Sequence, residues 1–141
     1  MGHRARVAHS RRSWCLMLLG LIFAGMGASA LTTDPGEVSA STHRAYAVAL
    51  SFADLRVWGV VFLSAALVAL LAALTLHHLP GFVALMGLTV WWAAMLVASW
   101  LVVGEARALA AALQWLALTA LLATIVGWPD PPRIGQRRRP S

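Results

Sequence analysis

The chain has no lysine, one cysteine, one tyrosine and only five acidic residues in a length of 141. Each shortage excludes something. The lone Cys15 cannot close an intrachain disulfide, and no Cys/His spacing of the kind that holds structural zinc exists. Arg12-Ser13-Trp14 ahead of it does not resemble a lipoprotein processing box, so Cys15 reads as a small apolar residue of a helix. Charge is scarce as well. With 11% charged against 60% hydrophobic residues and a mean hydropathy of +0.76, the chain cannot coat a soluble domain of this size, so lipid must be its solvent. The net charge of +6 is carried by arginine alone. Most of these arginines flank apolar segments rather than interleave with aromatic residues on one surface, which points to phospholipid head groups as the anionic partner and away from nucleic acid.

What is present is long apolar runs. Residues 57–76 hold about twenty positions without a charge, enough at about 1.5 Å per residue to cross a hydrocarbon core roughly 30 Å thick. Asp54 offers an N-cap before this run, and His77-His78-Leu79-Pro80-Gly81 closes it. Similar runs cover 14–31, 81–103 and 108–128. Pro80 suits the start of the third, Gly104-Glu105-Ala106-Arg107 makes a tight antiparallel link to the fourth, and Pro129-Asp130-Pro131-Pro132 ends the fourth. The expected fold is all-α: a polytopic integral membrane protein with four transmembrane helices. It divides into a basic arm over 1–13, a membrane bundle over 14–128 with one long external loop at 32–56, and a basic tail over 129–141. In that loop Tyr46, Ala49, Leu50, Ala53 and Val57 recur at helical spacing, which fits either a short surface helix over 42–53 or an early start of the next span. The first run also admits two readings. Ala28-Ser29-Ala30 after a basic arm resembles a signal-peptide cleavage site, but the run is longer than the usual h-region, which favours an uncleaved first helix.

Orientation follows from where the arginines fall. The arm carries Arg4, Arg6, Arg11 and Arg12 and the tail Arg133, Arg137, Arg138 and Arg139, whereas the loops at the other side share Arg44, Arg56 and Arg107. Both termini are therefore expected in the cytoplasm, N-in/C-in in the cell's inner membrane. Arg11, Arg12, Arg137, Arg138 and Arg139 are the expected contacts to the anionic inner leaflet. Trp14, Trp58 and Trp128 join them as interfacial rings, with Trp100 near an outer end. Trp91, Trp92 and Trp115 do not fit such a belt.

Chemistry has little to work with. His77 and His78 are adjacent and so point about 100° apart on a helix, which suits an interfacial turn better than a shared metal. No Asp, Glu or Arg lies inside an apolar core, where ion pathways and proton relays need such groups. Gln114 is the most polar residue within a span; Ser64, Thr89, Ser99, Thr119 and Thr124 are lesser polar groups, expected to bond back to their own backbones. No nucleophile and base can be paired. The expectation is a protein that is not an enzyme and takes no metal or cofactor.

Packing code is more legible. Gly20, Ala24 and Ala28 form a four-residue ridge of small side chains on the first helix, Ala65, Ala69 and Ala73 on the second, and Thr119, Ala123 and Gly127 on the fourth. Small ridges let helix backbones approach closely in lipid. The first and fourth are the candidate packing residues.

The succession of a basic arm, a Gly-rich first helix, Leu55-Arg56-Val57-Trp58-Gly59, Trp91-Trp92, Gly104-Glu105-Ala106-Arg107 and Gly127-Trp128-Pro129-Asp130-Pro131 resembles small four-helix membrane proteins of actinobacterial phages and prophages. The likeness covers residues 14–132, with Asp54 standing where those proteins would have proline. It implies a host and a membrane and hands over no functional residues. Two functions remain in view. One is a non-enzymatic membrane component that packs against itself or a membrane partner; the alternative is a holin-like oligomeric pore former for host lysis.

Overall fold

The computed structural model describes residues 11–75 and 77–127. Leu76, Trp128 and the tail with Arg137, Arg138 and Arg139 lie outside the described residues, as do the first ten positions of the basic arm. Four long helices dominate: α1 (Arg11–Thr32), α4 (Leu55–Ala73), α5 (Leu79–Val103) and α6 (Ala106–Gly127). All four are long and apolar enough to cross a membrane. Two short helices, α2 (Ala40–Ala45) and α3 (Ala47–Phe52), occupy the connection between α1 and α4 after a single turn of 3-10 helix at Pro35–Glu37. No strand occurs among the described residues.

Local chemistry explains the boundaries. Asp54 takes an extended conformation and its carboxylate accepts the Leu55 N–H at 2.7 Å, starting α4. Ser39 caps α2 by accepting the Thr42 N–H at 3.3 Å. Gly104 ends α5 with φ +73°, a left-handed conformation that glycine adopts without penalty, and its N–H closes on the Trp100 carbonyl at 2.8 Å. α1 is already helical at Arg11, ahead of the expected Trp14, and α4 stops at Ala73, short of the expected 76. The stretch expected as one surface helix or as a frayed start of α4 is neither. It is two pieces broken at Tyr46, and Ala53, extended at φ −158° and ψ 151°, separates them from α4.

Long-range bonds set the arrangement of the helices. At one end of the bundle the start of α1, the turn after α4 and the end of α6 meet: the Ser13 hydroxyl lies 3.4 Å from the His78 Nε2, and the Arg12 guanidinium donates to the Val126 carbonyl at 3.2 Å. At the other, α2 and α3 sit on α5 and on the α5–α6 turn. There Ser99 accepts the Val48 N–H at 3.0 Å, Arg107 donates to the Ser41 hydroxyl at 3.0 Å, and Arg44 faces Glu105 at 3.9 Å. We call this second end the connection end. The four long helices thus run alternately up and down, with α1 on α4, α4 on α5 and α5 on α6. Helices α1 and α6 approach less closely than these neighbours do.

The tightest contact is between α1 and α4. A Cβ on Gly27 would stand 2.8 Å from the Gly59 carbonyl oxygen, and one on Gly59 would stand 2.9 Å from that of Gly27, so the two backbones touch where both side chains are missing. Nearer the other end, Gly20 faces Leu70 and Ala66. Leu16, Gly20, Phe23 and Gly27 are all buried, at intervals of four, three and four that keep one stripe of α1 against its partner. Gly81 brings α5 into the same contact, since a Cβ there would meet Ala72 at 2.8 Å.

Candidate functional site

The four-residue ridges expected to pack helices are divided by the structure. Gly20 lies on the α1–α4 contact, Ala24 is half-buried, and Ala28 is exposed. The stripe that α1 uses passes through Gly27, which the four-residue register skipped. On α6, Thr119 is half-buried while Ala123 and Gly127 are exposed. The Thr119 hydroxyl donates to the Thr89 hydroxyl at 2.8 Å, and Thr89 donates in turn to the Met86 carbonyl at 2.9 Å. This pair ties α5 to α6 near mid-length, a bond worth about 0.6 kcal/mol in a bilayer.

The expected head-group contacts also divide. Arg11 and Trp14 are exposed, whereas Arg12 is partly drawn in toward Val126. Trp58 does not belong with them. It is buried, and its indole N–H donates to the Ala49 carbonyl at 2.9 Å, because α3 folds back over the start of α4 and supplies a partner that a head group would otherwise provide.

Around Trp58 the structure assembles an aromatic cluster that spans all four long helices. Trp92 is at its centre, with ring centroids 4.8 Å from Trp58, 5.3 Å from Phe62, 5.9 Å from Tyr46 and 6.5 Å from Trp115. Phe23 joins from α1 at 5.7 Å to Phe62 and 5.9 Å to Trp115. The contacts to Trp58, Phe62 and Trp115 are steep, at 72°, 79° and 69°, so the positive edge of one ring meets the negative face of another. Such pairs add about 0.5–1.5 kcal/mol each beyond their burial.

The cluster floors a cavity of about 540 Å³ at the connection end, within the roughly 300–1,000 Å³ typical of small-molecule sites. One wall is α1, which presents Gly25, Ser29 and Ala30, residues too small to fill the space, together with Met26. The adjoining wall is α4, where the N-cap Asp54 is followed by Trp58 and Phe62 at four-residue intervals. Trp92 and Trp115 close the back, and Tyr46 and Leu50 form the roof. Burial raises the Tyr46 phenol above the ordinary 10.0 of tyrosine, because removing it from water penalises the phenolate. A smaller hollow of about 320 Å³ adjoins it in the space between α1 and α6, lined by Met26, Tyr46, Gln114 and Trp115 among others.

Tyr46 and Leu50, in the connection, and Gly59, on the close backbone contact, escaped the sequence reading as parts of a site. The signal for the cluster lay in the tryptophans that fit no interfacial belt: Trp92 and Trp115 are in it, and Trp91 beside them is exposed. No group of three or more His, Cys, Asp or Glu that could hold a metal exists among the described residues. His78 is engaged by its Nδ1 with the Ala72 carbonyl at 2.9 Å and by its Nε2 with Ser13, as a residue of a structural turn. No protein-family model, curated protein or solved structure matches the chain.

Proposed function

We propose that the chain is a non-enzymatic multi-pass protein of the cell's inner membrane, with both termini in the cytoplasm, that acts by packing α6 against another membrane helix, in the first instance one from a second copy. The observation that carries this reading is Gln114. It lies on α6, whose buried residues are Ala108, Ala112 and Leu122, and it is exposed while lining the hollow between α1 and α6, the most polar side chain within that apolar run. Within a bilayer an amide in that position lacks the hydrogen bonds water would give it, and a second helix can supply them. Exposed Ala110 and Ala117, four positions before and three after Gln114 on the same face, leave room on α6 for a close approach.

Association measured by energy transfer between labelled copies diluted in liposomes tests this. The wild type should associate, and Gln114→Leu should weaken association by about 1 kcal/mol, roughly fivefold. Equal transfer for the two proteins would remove the basis of the proposal. The holin-like alternative rests on the likeness to phage proteins, and the same liposomes address it. Release of a trapped dye in step with association would replace the packing role by pore formation.

A further inference from the structure

We infer that the cavity at the connection end is a binding site for a lipophilic organic cation, held by the aromatic walls and drawn in by Asp54. The chemistry changes with depth along one stripe of α4. Asp54, Trp58 and Phe62 are spaced four residues apart, so a carboxylate at the mouth is followed by an indole one turn deeper and a phenyl ring about 12 Å below it. Trp92, Trp115 and Tyr46 complete the enclosure. The negative faces of aromatic rings attract a positive charge that has shed its water, and a diffuse charge on an apolar body sheds water most readily.

The charges around the mouth agree. Arg44 is turned toward Glu105 and Arg107 onto the Ser41 hydroxyl, on the side of the α5–α6 turn. Arg56, two positions beyond Asp54, points about 200° round the helix from it. His43 is the other titratable side chain on the lining besides Tyr46, and it is exposed. A carboxylate is thus the fixed charge that a ligand meets on entering. Asp54 spends Oδ1 on the Leu55 N–H, and a carboxylate has further lone pairs to offer.

The small wall of α1 supplies the second argument. Gly25 would meet nothing within 4 Å if it carried a Cβ, and Ser29 and Ala30 line the cavity beside it, so three of the α1 positions on this wall leave space by their size, with Met26 the one long side chain among them. A neutral acyl chain would use the same rings but would gain nothing from Asp54. Charge therefore separates the two occupants.

Tetraphenylphosphonium and tetraphenylborate, alike in size and shape and opposite in charge, provide the test. The full-length protein in nanodiscs is titrated with each, following tryptophan fluorescence and subtracting the response of empty nanodiscs. The phosphonium should bind saturably and the borate should not. Asp54→Asn retains a side-chain oxygen for the cap but removes the charge, and should weaken phosphonium binding about tenfold at unchanged helical content. Ala30→Phe, which fills the cavity from the α1 wall, should abolish it. Equal binding of both ions, undiminished binding by Asp54→Asn, or no saturable binding of the phosphonium would each overturn the assignment.

Discussion

Gly27 and Gly59 matter because each faces the other's backbone, which, unlike the Leu63 and Leu31 side chains beside them, cannot move aside to accept a methyl group. Gly27→Ala would place a carbon 2.8 Å from the Gly59 oxygen and 2.9 Å from the Leu63 nitrogen, forcing α1 and α4 apart. A cost of about 1–3 kcal/mol is expected, the usual range for overpacking a filled contact. Gly25→Ala is the control, since a Cβ there meets nothing within 4 Å, and it should leave stability unchanged or raise it by up to about 1 kcal/mol. Unfolding in mixed micelles titrated with denaturing detergent measures both. If the two variants unfold together, the glycine contact does not hold the helices. Trp58 teaches a related lesson at the same scale. Its position near the start of a span is that of an interfacial ring, yet its N–H finds Ala49, and an indole with a satisfied N–H can be buried.

Among the elements, the α2–α3 pair depends most on tertiary contact. Each piece has six residues, too short to be stable as an isolated helix. What holds them is α5: Ser99, fully buried on that helix, accepts the Val48 N–H at 3.0 Å, and Trp58 ties down Ala49 from below. Ser99→Ala leaves the Val48 amide without its partner and should destabilise the connection by about 1–3 kcal/mol. Amide hydrogen exchange is the direct measurement. Protection at Val48 and Ala49 should fall by tenfold or more, about 1.4 kcal/mol, while protection in α1 and α4 is kept. Unchanged exchange at Val48 would show that the roof of the cavity is held by other contacts. Periodicity made a helix in 42–53 legible, because Tyr46, Ala49, Leu50 and Ala53 recur on one face. The break at Tyr46 was not, since it follows from fitting that face onto α5, and no breaking residue stands there.

For the whole molecule, the bonds from Arg12 to Val126 and from Ser13 to His78 put the start of α1, the end of α6 and the turn after α4 at one end. Reporter fusions at Ala40 and at Ser141 should therefore give opposite signals, external for the first and cytoplasmic for the second, by the arginine count at the two sides. Matching signals at the two positions would contradict the three crossings, by α4, α5 and α6, expected between them. Four helices long and apolar enough to cross a membrane, their approximate limits and their alternation are determined by the sequence alone, because an apolar run of about twenty residues has one stable form in lipid, a helix, and short links leave antiparallel neighbours as the available packing. Which face of each helix turns inward is a different matter. In water a polar face marks the outside, but these helices are apolar all round, so Gly27 rather than Ala28 enters the α1–α4 contact and Trp92 rather than Trp91 enters the core for reasons of shape that appear when the helices meet. The aromatic cavity is decided at that level too. Its walls come from six segments of the chain whose only common property is where packing brings them, with Asp54 left at the mouth because the helix it caps begins there.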